Sequence, residues 1–165
     1  WSSDVCSSDL VKLVLTDCDG VLTDNGVYYS AEGEVMKRFS IRDGMGVERL
    51  RNAGIDAAIV TGESAAMVQR RADKLRIEAH LGVKDKAAAS VEILARHGVS
   101  LEQVAYIGDD VNDIGLIELL LERGLVGAPA DAMPDVGRRV HYVTRASGGH
   151  GAFREFADWI LAARR

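Results

Sequence analysis

The stretch Val11-Lys12-Leu13-Val14-Leu15-Thr16-Asp17-Cys18-Asp19-Gly20 opens as an apolar run and closes on two acids around one cysteine. A short apolar run bounded by turn residues reads as a buried strand, and here it ends at Thr16-Asp17. Residues two apart on an extended chain point to the same side, so Asp17 and Asp19 leave the strand end together. Cys18 faces the other way, into the core.

Working outward, the same logic recurs. Ile55 to Val60 is a second buried strand, Ile77 to Leu81 a third, Val104 to Ile107 a fourth, with short strands at Leu125 to Gly127 and Tyr142-Val143. Between them lie helical patterns: about Gly44 to Asn52 with Asp43 as its cap, Glu63 to Leu75, Lys86 to His97 stopped by Gly98, about Asn112 to Glu122, and Phe153 to Leu161. Ser100-Leu101-Glu102-Gln103 resembles a capping box but has room for one helical turn only. A turn-rich stretch at Gly20, Asp24, Asn25 and Gly26 precedes two strand-like runs, Val27 to Tyr29 and Val35 to Phe39, which predict a β-hairpin around a Gly-bearing turn. Strands alternating with helices give an α/β fold: a Rossmann-like, doubly wound, mostly parallel sheet with a β-hairpin flap. Such sheets bind ligands beyond the carboxyl ends of their strands.

Composition agrees. The chain has 165 residues, 47% of them hydrophobic, enough for one domain with a real core. Net charge is −5, with no basic stripe, which argues against nucleic acid and means that an anionic substrate must be drawn in by local cations. Two cysteines, Cys6 and Cys18, fit no zinc, redox or disulfide framework, so a reducing cytoplasm is the default expectation. No apolar run reaches the length of a membrane span. Residues 1–10 look foreign to the rest of the chain and lack the features of a signal peptide, so they read as a non-native or disordered leader to a single domain over residues 11–165.

Two strand ends carry acid clusters: Asp17 and Asp19 on the first, and Asp109, Asp110 and Asp113 after Val104 to Ile107. Either cluster alone reads equally well as capping and turn chemistry. Both at equivalent ends of buried strands point to a hard divalent cation, since grouped carboxylates repel without one and Mg²⁺ pairs a few carboxylates with substrate phosphate. Thr61-Gly62, at the end of the second strand, offers a hydroxyl and backbone N–H groups suited to an anion or to a helix cap. Lys86 opens a helix against its dipole, which a bound anion would explain.

These residues together resemble the haloacid dehalogenase superfamily. Asp17-Cys18-Asp19-Gly20-Val21-Leu22-Thr23 matches its first motif, Thr61 the second, Lys86 the third, and Gly108-Asp109-Asp110-Val111-Asn112-Asp113 the fourth. The resemblance implies an aspartyl-phosphate mechanism on Asp17, with Asp19 as acid and base. It implies Mg²⁺ held by Asp17, Asp19 through its backbone carbonyl, and Asp109. It implies Thr61 and Lys86 on the phosphoryl oxygens, and Asp110 and Asp113 orienting Lys86 or metal-bound water. No stretch is long enough for a cap domain. The resemblance therefore falls on the capless sugar-acid phosphatases, whose members are tetramers, which makes the hairpin with Tyr28, Tyr29 and Phe39 a candidate subunit interface; a solvent-facing hairpin in a monomer is the alternative.

That branch includes phosphatases of eight-carbon 3-deoxy-manno-octulosonate 8-phosphate (KDO 8-phosphate, in lipopolysaccharide biosynthesis) and of nine-carbon keto-deoxy-nonulosonate or N-acylneuraminate 9-phosphates. Arg42-Asp43-Gly44 is similar to the first group, where Arg and Asp contact the sugar acid. Thr61-Gly62-Glu63 with Arg71 and Lys74 looks more like the second, where Glu and Lys select substrate, and the nine-carbon substrate is the main expectation. Lys74 lies eleven residues past Glu63, roughly 16 Å along a helix, so it reads as serving a neighbouring subunit or as a plain solvated face. Gly148-Gly149-His150-Gly151 also matches the branch and orders near a partner's site or forms a loop. Rival readings are a non-catalytic assembly domain of a nonulosonate nucleotidyltransferase system, a phospho-acceptor that signals, and a phosphotransferase.

Overall fold

The computed structural model describes residues 8–164; the expected leader therefore falls mostly outside the described residues, with Ser8–Leu10 forming one 3-10 turn. Six strands make one parallel sheet: β1 (Leu13–Thr16), β4 (Asp56–Val60), β5 (Glu78–His80), β6 (Val104–Ile107), β7 (Leu125–Ala128) and β8 (Tyr142–Val143). Their spatial order is β5-β4-β1-β6-β7-β8. The chain winds outward from β1 in one direction through β4 and β5, then returns to β1's other side and winds outward through β6, β7 and β8. The crevice where that direction reverses lies at the carboxyl end of β1, where Asp17 continues the ladder by donating from its amide to the Ile107 carbonyl, 3.0 Å away.

Both faces of the sheet are buried, as continuous apolar strands require. Val14, Ile59, Ala105 and Ile107 project to one face, where Val47, Leu50, Val68, Phe153, Phe156 and Ile160 cover them. These come from α1 (Ile41–Asn52), α2 (Ala66–Leu75) and α6 (Ala152–Ala162). Leu13, Leu15, Val60, Val104, Tyr106 and Val126 project to the other, against Ile93, Leu94, Leu116, Ile117, Leu120 and Val136. Those belong to α3 (Lys86–His97), α4 (Ile114–Leu120) and the short α5 (Pro134–Gly137). At about 1.5–3 kcal/mol for each large apolar side chain buried, both layers are needed to offset chain entropy.

Several expected boundaries move. Helix α1 begins at Ile41, capped by Ser40, whose side chain accepts from the Arg42 amide. Asp43 lies inside its first turn. Helix α2 begins at Ala66, not at Glu63, so Gly62 to Ala65 form a loop at the mouth of β4. The helix expected from Asn112 is a 3-10 turn, Val111–Asp113, running into α4.

The hairpin pairs β2 (Thr23–Ser30) with β3 (Gly33–Phe39) across an Ala31-Glu32 turn. Its first strand starts four residues earlier than the turn-rich sequence suggests. Thr23 pairs with Phe39 and Val27 with Lys37, so Asp24, Asn25 and Gly26 bulge opposite Arg38 alone. That bulge, with Asn25 at φ 67, is what the turn residues are for.

Candidate active site

Asp17 and Asp109 end neighbouring strands and reach the same crevice. Carboxylate oxygens of Asp17, Asp109 and Asp113 lie within 4.8 Å of one another, all three residues buried. A cavity of about 140 Å³ above them is lined by Asp17, Asp19, Asn25, Thr61, Gly62, Glu63, Asp109, Asp110 and Asn112. Gly20, at φ +84, allows the β1 loop to cross here: a Cβ on it would sit 1.9 Å from Asp109 Oδ2.

The electrostatics are those of a site built for a cation. Burial, then the charge of Asp113, raises Asp17 to a pKa of about 6 against the partial relief of Lys86. Burial, then Asp17 and Asp113, raises Asp109 to about 8. Carboxylates that hold protons this tightly are strained in their charged form, and a divalent ion between them removes the strain. The donor chemistry fits Mg²⁺: oxygens only, from Asp17 and Asp109, with the Asp19 carbonyl accepting no hydrogen bond from a described residue.

Asp113 is differently employed. Its Oδ1 accepts from Lys86 Nζ (2.6 Å) and the Tyr106 hydroxyl (2.5 Å), and its Oδ2 from the amides of Asp109 (2.7 Å) and Asp110 (3.1 Å). Four accepted bonds saturate a carboxylate, so Asp113 orients Lys86 and the Asp109 loop rather than offering a free metal ligand. Asp110 caps the following turn, accepting from the Val111 amide at 2.6 Å.

Lys86 Nζ spends its three donors on Asp17 Oδ1 (2.8 Å), Asp113 Oδ1 and the Tyr106 hydroxyl at 3.2 Å. Burial opposes its charge, but Asp17 and Asp113 prevail and keep it above an ordinary lysine. A lysine at the start of α3 is thus explained by two buried acids, without the anion expected from the helix dipole. Asp17 Oδ1 also accepts from the Cys18 amide at 2.7 Å. Both contacts fall on Oδ1, and Oδ2 accepts from no described residue.

Thr61 is 2% exposed, and its hydroxyl accepts from the Glu63 amide at 3.2 Å, so its own proton remains to be donated. Asp19 has both oxygens engaged, Oδ1 by the Thr23 hydroxyl at 3.0 Å and Oδ2 by Lys37 Nζ at 2.5 Å. Asn25 donates to Asp109 Oδ2 at 3.0 Å. Sequence reasoning missed Asn25, Lys37, Tyr106 and Asn112. The signal for Asn25 was an Asx-Gly bulge, and for Lys37 its alternation with Phe39 on one face of β3.

The expected substrate residues do not converge. Glu63 lines the cavity. Arg42 is exposed in a groove with Arg38 and His150, apart from the cavity. Asp43 is 1% exposed and caps α6 from outside, Oδ1 accepting from the Arg154 amide at 3.0 Å. Gly44 packs near Leu75 and Arg71. Arg71 donates to the Ser40 carbonyl at 2.8 Å and lies over the Phe39 ring, holding the start of α1 in its own chain. Lys74 is exposed in the last turn of α2. The Gly148–Gly151 segment rests on the chain's own loop after β1, with the Gly149 amide donating to the Val21 carbonyl at 2.9 Å.

Residues 42–118 match the family model described as haloacid dehalogenase-like hydrolase. The chain is 44% identical over 156 residues to 3-deoxy-D-manno-octulosonate 8-phosphate phosphatase KdsC of Yersinia pestis, covering 93% of this chain and 81% of that protein. It is 41% identical to KdsC of Haemophilus influenzae, over 93% of this chain and 84% of the relative. Among solved structures, a cobalt-bound form of the Haemophilus influenzae phosphatase superposes with a TM-score of 0.90 at 40% identity, covering 96% of this chain and 91% of that one. The Moraxella catarrhalis phosphatase, solved with magnesium ion, phosphate ion and KDO, superposes with a TM-score of 0.87 at 37% identity, over 95% and 89% of the two chains.

Proposed function

The chain belongs to the haloacid dehalogenase-like hydrolases, in their capless sugar-acid phosphatase branch, and we propose that it is a Mg²⁺-dependent phosphatase of 3-deoxy-D-manno-octulosonate 8-phosphate. The relatives named above carry that activity in their names, which favours the eight-carbon alternative over the nine-carbon expectation drawn from Glu63 and Lys74. The observation that carries the chemistry is the Asp17 carboxylate, pinned through Oδ1 by Lys86 and the Cys18 amide, beside Asp109 at the switch point of the sheet.

In this reading Asp17, Asp109 and the Asp19 carbonyl hold Mg²⁺, which neutralises charge between nucleophile and phosphate when bound. Asp17 Oδ2 attacks phosphorus in line, forming an aspartyl-phosphate as the bond to the C8 oxygen breaks. Asp19 gives a proton to that leaving oxygen, then takes one from the water that hydrolyses the acyl phosphate and releases inorganic phosphate. Thr61 donates to a phosphoryl oxygen, and Lys86 keeps positive charge against Asp17 throughout. Glu63 lines the cavity, and in this reading it would meet the sugar there. An open, capless site has little to exclude water, which supports a tetramer in which a neighbour's hairpin completes the rim. No described helix is long and apolar enough to cross a membrane.

The test is Mg²⁺-dependent phosphate release from the eight-carbon 8-phosphate and the nine-carbon 9-phosphate side by side. The expected result is a kcat/KM preference of tenfold or more for the eight-carbon substrate, about 1.4 kcal/mol in the transition state. The reverse preference would restore Glu63 and Lys74 as selectors and overturn the substrate reading.

A further inference from the structure

The hairpin carries a charged side chain that it hides. Tyr28, Tyr29, Val35 and Met36 stand exposed along the arm. Lys37 in β3 does the reverse, with its side chain only 1% exposed. A lysine so deeply covered needs a partner, and Asp19 Oδ2, 2.5 Å from Nζ, supplies it. The other oxygen of Asp19 is held by Thr23, which is fully buried and opens β2. Thr23 pairs with Phe39, two residues from Lys37 on the same face of β3. One structural unit, the base of the hairpin, therefore grips both oxygens of a single carboxylate. Lys37 does not reach the cavity, whereas Asp19 keeps 23% exposure and lines it.

We propose that Lys37 is a positioning residue for proton transfer to the leaving group. It fixes the rotation of the Asp19 carboxyl so that one lone-pair site on each oxygen is spent on the hairpin and the remaining sites face the cavity. The proton leaves Asp19 for the departing sugar oxygen as the phosphorus–oxygen bond breaks, and Lys37 keeps its own protons throughout. A misplacement near 1 Å costs such a transfer on the order of 100-fold, so an unclamped Asp19 is a poor acid even when present. The proposal rests on the reading of Asp19 as the acid.

The test compares kcat/KM for an alkyl phosphate and for p-nitrophenyl phosphate on the same Mg²⁺-loaded enzyme. The alkyl probe is the eight-carbon 8-phosphate, or glycerol phosphate if that is refused. This parameter covers only the steps through loss of the leaving group. A sugar alkoxide needs a proton to leave, and nitrophenolate does not. Lys37→Met, which keeps the buried stem, is expected to lower the alkyl-to-aryl ratio at least tenfold. Asp19→Asn should lower it as much or more, and the double variant no further. Because the ratio is internal, loss of folded enzyme cancels; if Lys37→Met yields none, Lys37→Gln reads the same ratio. An unchanged ratio in the lysine variant beside a collapsed ratio in Asp19→Asn overturns the role of Lys37. An unchanged ratio in Asp19→Asn overturns the acid assignment beneath it.

Discussion

The floor and the rim of the cavity are built on different principles. On the floor, Asp17, Asp109, Asp113 and Lys86 are all at most 5% exposed, and each is tied to a strand end, a backbone amide or another member of the group. Of the residues expected at its rim, Glu63 alone lines the cavity, from a loop, while Arg42 lies in a separate groove and Lys74 sits at the far end of α2. The floor is self-contained within one chain because the register of adjacent parallel strands sets where its acids stand. In the proposed function, sugar recognition would draw on loops and helix ends, whose placement is not set by the register of the sheet.

The sharpest way to break that contrast is at Asp17, the nucleophile in the proposed mechanism. Asp17→Asn should lower kcat by about 10³-fold or more while the fold persists, as circular dichroism would report. The floor should also lose function without metal: chelation abolishes turnover, and a Mg²⁺-induced rise in melting temperature is expected in the parent and lost in Asp109→Asn. Next comes the buried cation. Lys86→Met leaves Asp17 and Asp113 facing each other unpaired, at a cost of about 3–5 kcal/mol, so both melting temperature and activity should fall together. Arg71→Ala, which removes a contact to the start of α1 and touches no floor residue, should have no comparable effect on activity.

Asp43 gives the smallest and most diagnostic effect. Burial raises it to a pKa of about 6, against relief from the Arg154 and Gly151 amides, from an ordinary 3.8. Its folded form therefore holds a proton that the unfolded chain releases earlier, so its stabilising contribution is full below the unfolded pKa and is lost as pH rises from about 4 through 6. The shift corresponds to roughly 3 kcal/mol at most above pH 6. Asp43→Asn keeps the acceptor for α6, so it should match or exceed the parent's melting temperature at pH 7.5, with any advantage gone near pH 4. A loss of sugar binding instead, with stability unchanged, would move Asp43 from the frame to the rim.

This contrast also explains what the sequence made legible. Acid pairs at the ends of apolar runs declare themselves, because strand and loop are both local signals. Thr61 and Lys86 were legible as a strand end and a helix start, although the partners of Lys86 were not: Asp113 and Tyr106 lie 27 and 20 residues away. Asn25 was hidden by an 84-residue separation from Asp109, and Lys37 by 18 residues to Asp19. The start of α1 went astray because Ser40 and Asp43 are both good capping residues, and only packing against α6 assigns Asp43 elsewhere. The start of α2 went astray because Glu63 resembles a first-turn acid while serving a loop.

One contact between two glycines bears on how mutational tolerance in this chain is to be judged. A Cβ on Gly148 would lie 1.9 Å from the Gly20 carbonyl oxygen, against backbone that has nowhere to go. The loop after β1 and the segment before the last helix are thus in direct backbone contact. Intolerance at Gly148 would look the same as intolerance at Asp17, though in the proposed mechanism one position supplies chemistry and the other only the absence of an atom. A map of forbidden substitutions would outline this active site faithfully while saying nothing about which of its members react.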